Sequence, residues 1–205
     1  MLVNIITLAV VKGFQDEVRN KVIGFGSHAI ITKSGENSIF ESEPILKAQS
    51  FYSSLKKEPY LRHIQPVAYK PVVLQSDRKG TTTQEIEGVL VKGIDETYDW
   101  DFIKKHLKSG RIPHIESSTT SDELMISQKI ANRLNYKIGD KVRAFFVKNK
   151  PVKKIFKLVG IYETGFDEMD KQLIFCDIKN IQQLNFYMVL QKMAISMNQL
   201  IKMNV

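Results

Sequence analysis

The chain has 205 residues, 43% hydrophobic and 25% charged, ordinary figures for a globular protein with a real core in one or two domains. A net charge of +8 fits a nucleic-acid, anionic-membrane or acidic partner, or simple solubility. One cysteine, Cys176, excludes an internal disulfide and a cysteine-rich zinc site, and its apolar setting in QLIFCDI predicts a buried strand residue.

In chain order, residues 1–11 form an apolar run, about half of the roughly 20 residues a spanning helix needs. The first cation, Lys12, follows that run instead of preceding it, unlike a signal peptide. A buried helix, an interfacial anchor and the outer end of a transmembrane helix all remain open. SHAIITKSG reads as a short strand. SEPILKAQSFYSSLKKEP reads as a helix with Pro44 in its first turn, an apolar stripe of Ile45, Ala48, Tyr52 and Leu55, and Pro59 beyond its end. The segment from His63 to Asp95 is expected to be extended, with a turn around Asp77 to Gly80. Pro66 and Pro71 predict that its first strand is an edge strand or an irregular one. ETYDWDFIKKHLKSGR predicts a second helix closing near Gly110, and ESSTTSDE a polar loop.

The most informative stretch is LMISQKIANRLNYKIGDKVRAFFV, Leu124 to Val147. Leu124 to Ile126 is a short apolar strand, and Ser127 can cap a helix with its hydroxyl. Ile130, Ala131 and Leu134 then share one helical face. Asn135 suits the left-handed residue that ends a helix, Gly139-Asp140 a turn, and Val142, Ala144 and Phe146 one face of a strand. KKIFKLVGIYETG follows as its pairing strand, then KQLIFCDIKNIQQLN as strand and helix. The tail from Asn185 carries Met188, Met193, Met197 and Met203, and allows a methionine-rich amphipathic helix. Strands and short helices mixed without repeats make an α+β chain.

No chemistry assembles along this chain. Gly88 and Gly93 have phosphate-loop spacing, but Ile94 and Asp95 stand where lysine and Ser/Thr are required. His106 and His114 are eight apart with no supporting acid, and His28 and His63 stand alone; these predict surface or core histidines, not a zinc pair. Glu163, Asp167, Glu168 and Asp170 lack the order of a calcium loop and read as a solvated loop. No catalytic, cofactor-binding or metal-binding residue is assigned, and the chain is read as not an enzyme. The charges are more informative. Lys141, Arg143, Lys148, Lys150, Lys153, Lys154 and Lys157 crowd one hairpin with no acid among them. No nucleic-acid signature accompanies them, so no nucleic-acid partner is expected. Lys148, Asn149, Lys150, Pro151, Lys153 and Lys154 are the candidate partner-binding residues, facing a protein or lipid headgroups.

VVKGFQDEVRNKVIGFGSHAIIT, EGVLVKGID, the Leu124–Val147 unit and KLVGIYETGFDEMDKQLIFCDIKNIQQL occur in the order seen in LolC/LolE-type permeases. From about residue 5 to 185 the chain resembles these lipoprotein-releasing ABC transporter permeases of the wider MacB/FtsX-like group. The resemblance implies a MacB-like periplasmic core domain with a membrane-proximal part of split βαβ units and an inserted α/β part. The expected divisions are 1–23 as the end of the first membrane helix with its amphipathic extension, 24–93 plus 164–186 as the membrane-proximal part, 94–163 as the insertion, and 187–205 as a divergent tail. It also implies a noncatalytic permease subunit in the bacterial inner membrane, its domain in the periplasm. Expected partners are a separate cytoplasmic ATPase, a second permease copy, lipoprotein cargo, the membrane and a periplasmic chaperone, with no cofactor.

Two departures stand out. The Val147–Lys154 hairpin is short where LolC-type members carry a long chaperone hook. Past Leu184 the tail differs from the family's continuation, which implies a missing closing strand and an open sheet edge. MacB/FtsX-like export or regulation, and a freestanding basic binding module, are the alternative readings.

Overall fold

In the computed structural model, residues 2–33, 45, 49–76, 85–147, 151–184 and 192–197 are described. A long helix, α1 (Leu2–Phe25), leads into a nine-stranded sheet of order β1-β9-β2-β3-β8-β5-β7-β4. The strands are β1 (Ala29–Ile31), β2 (Leu61–Gln75), β3 (Ile86–Ile94), β4 (Leu107–Gly110), β5 (Glu123–Ser127), β6 (Lys141–Phe146), β7 (Val152–Tyr162), β8 (Leu173–Asp177) and β9 (Lys192–Met197). β6 pairs with both β2 and β7, so β2, β3, β8, β5, β7 and β6 close into a ring. The β3–β8 and β5–β7 pairs are parallel. Residues 94–163 supply β4 to β7, and these strands join the same sheet as β2, β3 and β8. The fold is mixed α and β, as expected.

One apolar cluster draws on all the ring strands, including Leu74, Val91, Leu124, Phe146, Phe156 and Ile174. The helices α4 (Gln128–Leu134) and α6 (Ile178–Leu184) add Ile130, Leu134 and Ile181 to it. Burying each such side chain is worth about 1.5–3 kcal/mol, so this cluster dominates stability. The cluster includes Cys176, fully buried on β8.

The Leu124–Val147 unit forms as its sequence predicts. The Ser127 hydroxyl accepts from the Ile130 N–H at 3.2 Å and donates to the Asp170 carbonyl, joining α4 to the turn before β8. Asn135 ends α4 with φ 53°, and Lys137 donates its N–H to the Asp140 carboxylate at 2.8 Å. Val142, Ala144 and Phe146 are buried on the core face. Replacing Ser127 with alanine removes both hydrogen bonds from a buried site. A loss of about 1–3 kcal/mol is expected in urea unfolding, and a loss below about 0.5 kcal/mol would show the cap to be dispensable.

Several expectations are corrected. The helix expected from Ser42 starts only at Ser50, since Gln49 is extended (φ −101°, ψ 147°) and Ile45 is not helical. Pro44 and Ala48 lie outside the described residues. The short α2 (Ser50–Leu55) packs Tyr52 and Leu55 on Ile64. The second helix shrinks to α3 (Asp101–Lys105), and its expected last turn is instead β4, paired with β7. Gly110 makes this possible: at φ +77°, a Cβ there would lie 2.1 Å from the Val159 carbonyl oxygen.

Of the two expectations for β2 the irregular strand holds, since its register against β9 shifts between Leu61 and His63, but it is not an edge strand. β3 pairs with Val67 to Gln75, while β9 and β6 share its other side. Pro71 is tolerated for a specific reason. Its partner Leu90 donates its N–H away from β2, to the Gln172 carbonyl at 2.7 Å, so the pair exchanges no hydrogen bond. The N–H that Pro71 lacks would point into the gap between the β9 pairing, which stops at Val67, and the β6 pairing, which starts at Val72. The turn expected at Asp77 to Gly80 lies outside the described residues.

Asp170 is fully buried rather than solvated. Its carboxylate accepts from the Thr164 hydroxyl at 2.8 Å and the Gly165 N–H at 3.0 Å, tying off the turn after β7. The segment expected to leave an open edge, or to form a helix, instead contributes β9, paired antiparallel with β1 and β2.

Candidate functional site

The hairpin that carries the cations is β6–β7. Phe146 faces Val152 in register, so residues 147–151 form the connection. Lys148, Asn149 and Lys150 lie outside the described residues. Pro151 and Lys153 are exposed. Lys154 turns the other way: half-buried, it donates to the Asn180 side chain and lies 3.5 Å from Asp122. Lys154 is therefore tied to the body of the domain. Strand alternation separates the cations of this ribbon. On its outer face, Lys141 stands opposite Lys157, Arg143 opposite Ile155, and Phe145 opposite Lys153. Like charges directly opposite are unfavourable, so the Lys141–Lys157 pair would gain from an anionic neighbour.

The second feature is the joint between α1 and the sheet, which the sequence reading missed. The amino-terminal half of α1 exposes Val3, Ile5, Ile6, Leu8, Val10, Val11 and Phe14 around its whole circumference. Among the described residues, no helix is long and apolar enough to cross a membrane. The carboxy-terminal end is the opposite. Phe25 is only 1% exposed and meets Phe102 edge-on with ring centroids 5.4 Å apart, and Tyr162 at 6.0 Å. Gly24 permits this approach, since a Cβ there would lie 2.3 Å from the Phe102 ring.

Under this last turn lies Lys92 of β3, completely buried. Its Nζ donates to the Phe25 carbonyl at 2.6 Å and lies 3.3 Å from the Tyr98 hydroxyl. The rings of Tyr98, Phe175 and Tyr69 surround it at 4.9, 5.8 and 6.0 Å. Burial pushes Lys92 down to about 7 and Tyr69 up to about 12. Burial, with Tyr69 and Asp99 nearby, pushes Tyr98 well above the usual tyrosine value. A cleft of about 470 Å³ runs beside the joint, between Glu17, Asn20 and Lys21 of α1 and Arg62, Asp99 and Lys105 of the body. Arg62 is held there by Asp99 and, at 3.4 Å, by Asp101.

A signal for this joint was present in the sequence. In VLVKGI, Lys92 shares a strand face with Leu90 and Ile94, where an apolar residue would be expected. The neighbouring Gly93 has a packing role: a Cβ there would lie 2.9 Å from the Ile178 Cα, so it lets α6 approach β3.

The histidines are scattered. His106 Nδ1 lies 2.8 Å from the Phe102 carbonyl, His63 Nε2 2.6 Å from the Thr97 carbonyl, and His114 pairs with Glu116. Glu163 pairs with Lys108 and Asp167 with Lys129. Among the described residues, no group of three or more His, Cys, Asp or Glu could hold a metal ion.

The chain matches the family model of the MacB-like periplasmic core domain over residues 1–201. Its relatives include the lipoprotein-releasing system transmembrane protein LolC of Xylella fastidiosa strain Temecula1. That protein is 22% identical over 189 residues, covering 88% of this chain and 42% of the relative. LolC of Buchnera aphidicola subsp. Schizaphis graminum is 25% identical over 190 residues, covering 89% and 43%. The chain thus spans under half the length of these curated relatives. Among solved structures, the extracellular domain of the noncanonic ABC-type transporter YknZ from Gram-positive bacteria superposes with a TM-score of 0.53. Its identity is 15%, and the match covers 83% of this chain and 82% of that one. The periplasmic region of MacB from Actinobacillus actinomycetemcomitans gives a TM-score of 0.50 at 14% identity, covering 78% and 68%. These two likenesses are of fold. A mixed sheet entered by one long helix, matched by the family model along nearly its whole length, assigns the chain: it belongs to the MacB-like periplasmic core domain family.

Proposed function

We propose that this domain is the extracytoplasmic part of a noncatalytic ABC transporter permease that releases lipoproteins from the bacterial inner membrane. It relays motion from a separate cytoplasmic ATPase. The observation that carries this reading is the two-ended character of α1. One end is apolar and exposed on all sides, and the other is built into the aromatic core beside β3. Such a helix suits a membrane anchor that moves the sheet. The LolC relatives, named for a lipoprotein-releasing system, support the cargo class. On this reading a second permease copy and the ATPase join through membrane helices, and the domain sits in the periplasm. On this reading residues 24–93 with 164–186 form its membrane-proximal part and 94–163 its inserted part, while the 187–205 segment joins the same sheet through β9.

Lys148, Asn149, Lys150, Pro151 and Lys153 form the partner-facing tip, with Lys154 serving as its internal tie. Reversing Lys148, Lys150 and Lys153 to glutamate in a complete permease, reconstituted with its ATPase, tests this. Lipoprotein release to a periplasmic chaperone should fall about ten-fold, equivalent to about 1.4 kcal/mol at the barrier, with basal ATP hydrolysis unchanged. Unaltered release would remove the tip from the mechanism. A second reading, export in the manner of MacB, is favoured by the brevity of the 147–151 connection. Under it, release would proceed without any chaperone present.

A further inference from the structure

The covalent route out of α1 is a poor conductor of motion. After Phe25 the chain runs through Gly26, Ser27 and His28 to β1, the outermost strand of the sheet. Glycine lends little stiffness to such a connection. The non-covalent route is different. Through the Phe25 carbonyl, α1 meets Lys92 on β3, and β3 is a member of the closed ring, flanked by β2 and by the parallel strand β8.

The identity of the residue at position 92 matters. A lysine buried at 0% exposure carries a desolvation cost that a methionine of similar length would avoid. Packing alone does not account for it. What the amine adds is direction. It supplies a donor to one of the carbonyls that the end of a helix leaves unsatisfied. Tyr98 and Phe175 fix the amine laterally, so it is a rigid support for that carbonyl.

We propose that Lys92 is the residue that couples α1 to the strand ring, clamping the Phe25 carbonyl so that displacement of the helix passes to β3. This is a positioning role, and it rests on the reading that the domain relays motion. It implies that the last turn of α1 and β3 open together as one cooperative unit.

Native-state amide hydrogen exchange on the 205-residue chain, in mild detergent, tests it. In the unsubstituted protein, amides of Val22 to Phe25 and of Leu90 to Ile94 should share one opening equilibrium with the same urea dependence. In Lys92→Met, protection of Val22 to Phe25 should fall at least about ten-fold, while protection of Leu90 to Ile94 and the melting temperature do not fall. Independent opening of the two segments in the unsubstituted chain would overturn the proposal, and so would unchanged protection in the variant. Should the variant fail to fold, the unsubstituted chain decides alone. The outcome is separable from the functional reading: coupled opening in a domain whose complete permease releases no lipoprotein would refute the cargo and leave the coupling intact.

Discussion

Phe25→Ala is expected to cost the domain about 3–5 kcal/mol and to detach the last turn of α1. Phe25 is almost fully buried and packs edge-on against Phe102 and at a tilt against Tyr162. Truncation leaves a cavity in an aromatic cluster whose other members are held by the sheet, so little of it can collapse. The loss has a second part: water entering that cavity would reach the Lys92 amine, and competition for its hydrogen bond would loosen the carbonyl it holds. Urea unfolding followed by circular dichroism measures the cost. Leu8→Ala, on the exposed half of the same helix, is the control and should change stability by less than about 0.5 kcal/mol. A Phe25→Ala cost no greater than that of the control would show that α1 is not built into the core.

What was legible in the sequence was what neighbouring residues decide among themselves. Ser127, Asn135 and Gly139 mark the cap, the stop and the turn of one compact unit, and each acts within a few residues of itself. Their signals agree, and the structure follows them. The failures occur where a distant segment decides. Residues 107–110 continue a helical pattern on their own, yet pairing with β7 draws them into β4. Pro66 and Pro71 mark an edge or an irregular strand by local rules; β2 is irregular, and the gap between two partners on one side of it admits Pro71 in the interior of the sheet. Asp170 sits among three other acids in sequence, and the Thr164 hydroxyl with the backbone N–H groups of Thr164 and Gly165, brought round by the turn, explains its burial. The candidate surface shows the same limit. Its cations form one cluster along the chain, while the alternation of β7 sends Lys153 outward and Lys154 toward Asn180. The role of Lys92 is the least legible from the sequence. Its significance depends on the end of a helix 67 positions away in sequence.

Lys92 also makes the stability of the domain depend on pH in an unusual direction. Burial lowers the Lys92 value from the ordinary 10.5 to about 7. Between those limits the unfolded chain holds a proton at this position that the folded chain has released. Stability therefore rises with pH from about 7, by up to about 1.4 kcal/mol per unit, and is lost again as pH falls toward 7. The groups facing the amine are Tyr69 from β2, Tyr98 from the segment before α3, Phe175 from β8 and the Phe25 carbonyl from α1. Both tyrosines are pushed above their usual value by burial, which gives the opposite slope once unfolded tyrosines ionise near 10. Carboxylates such as Glu123 and Asp167, held below their ordinary range, stay ionised in both states throughout alkaline solution. Burial also pushes the Cys176 thiol up from its ordinary 9.0, which gives the same opposite slope once unfolded thiols ionise. The clean window is thus about pH 7.5 to 8.5, and across it the unfolding free energy in urea should increase by about 0.5–1.2 kcal/mol. Lys92→Met, which has no proton to release, should lack that increase. Equal slopes in the two proteins would show that Lys92 keeps its ordinary affinity for a proton, and hence that water reaches it beneath α1.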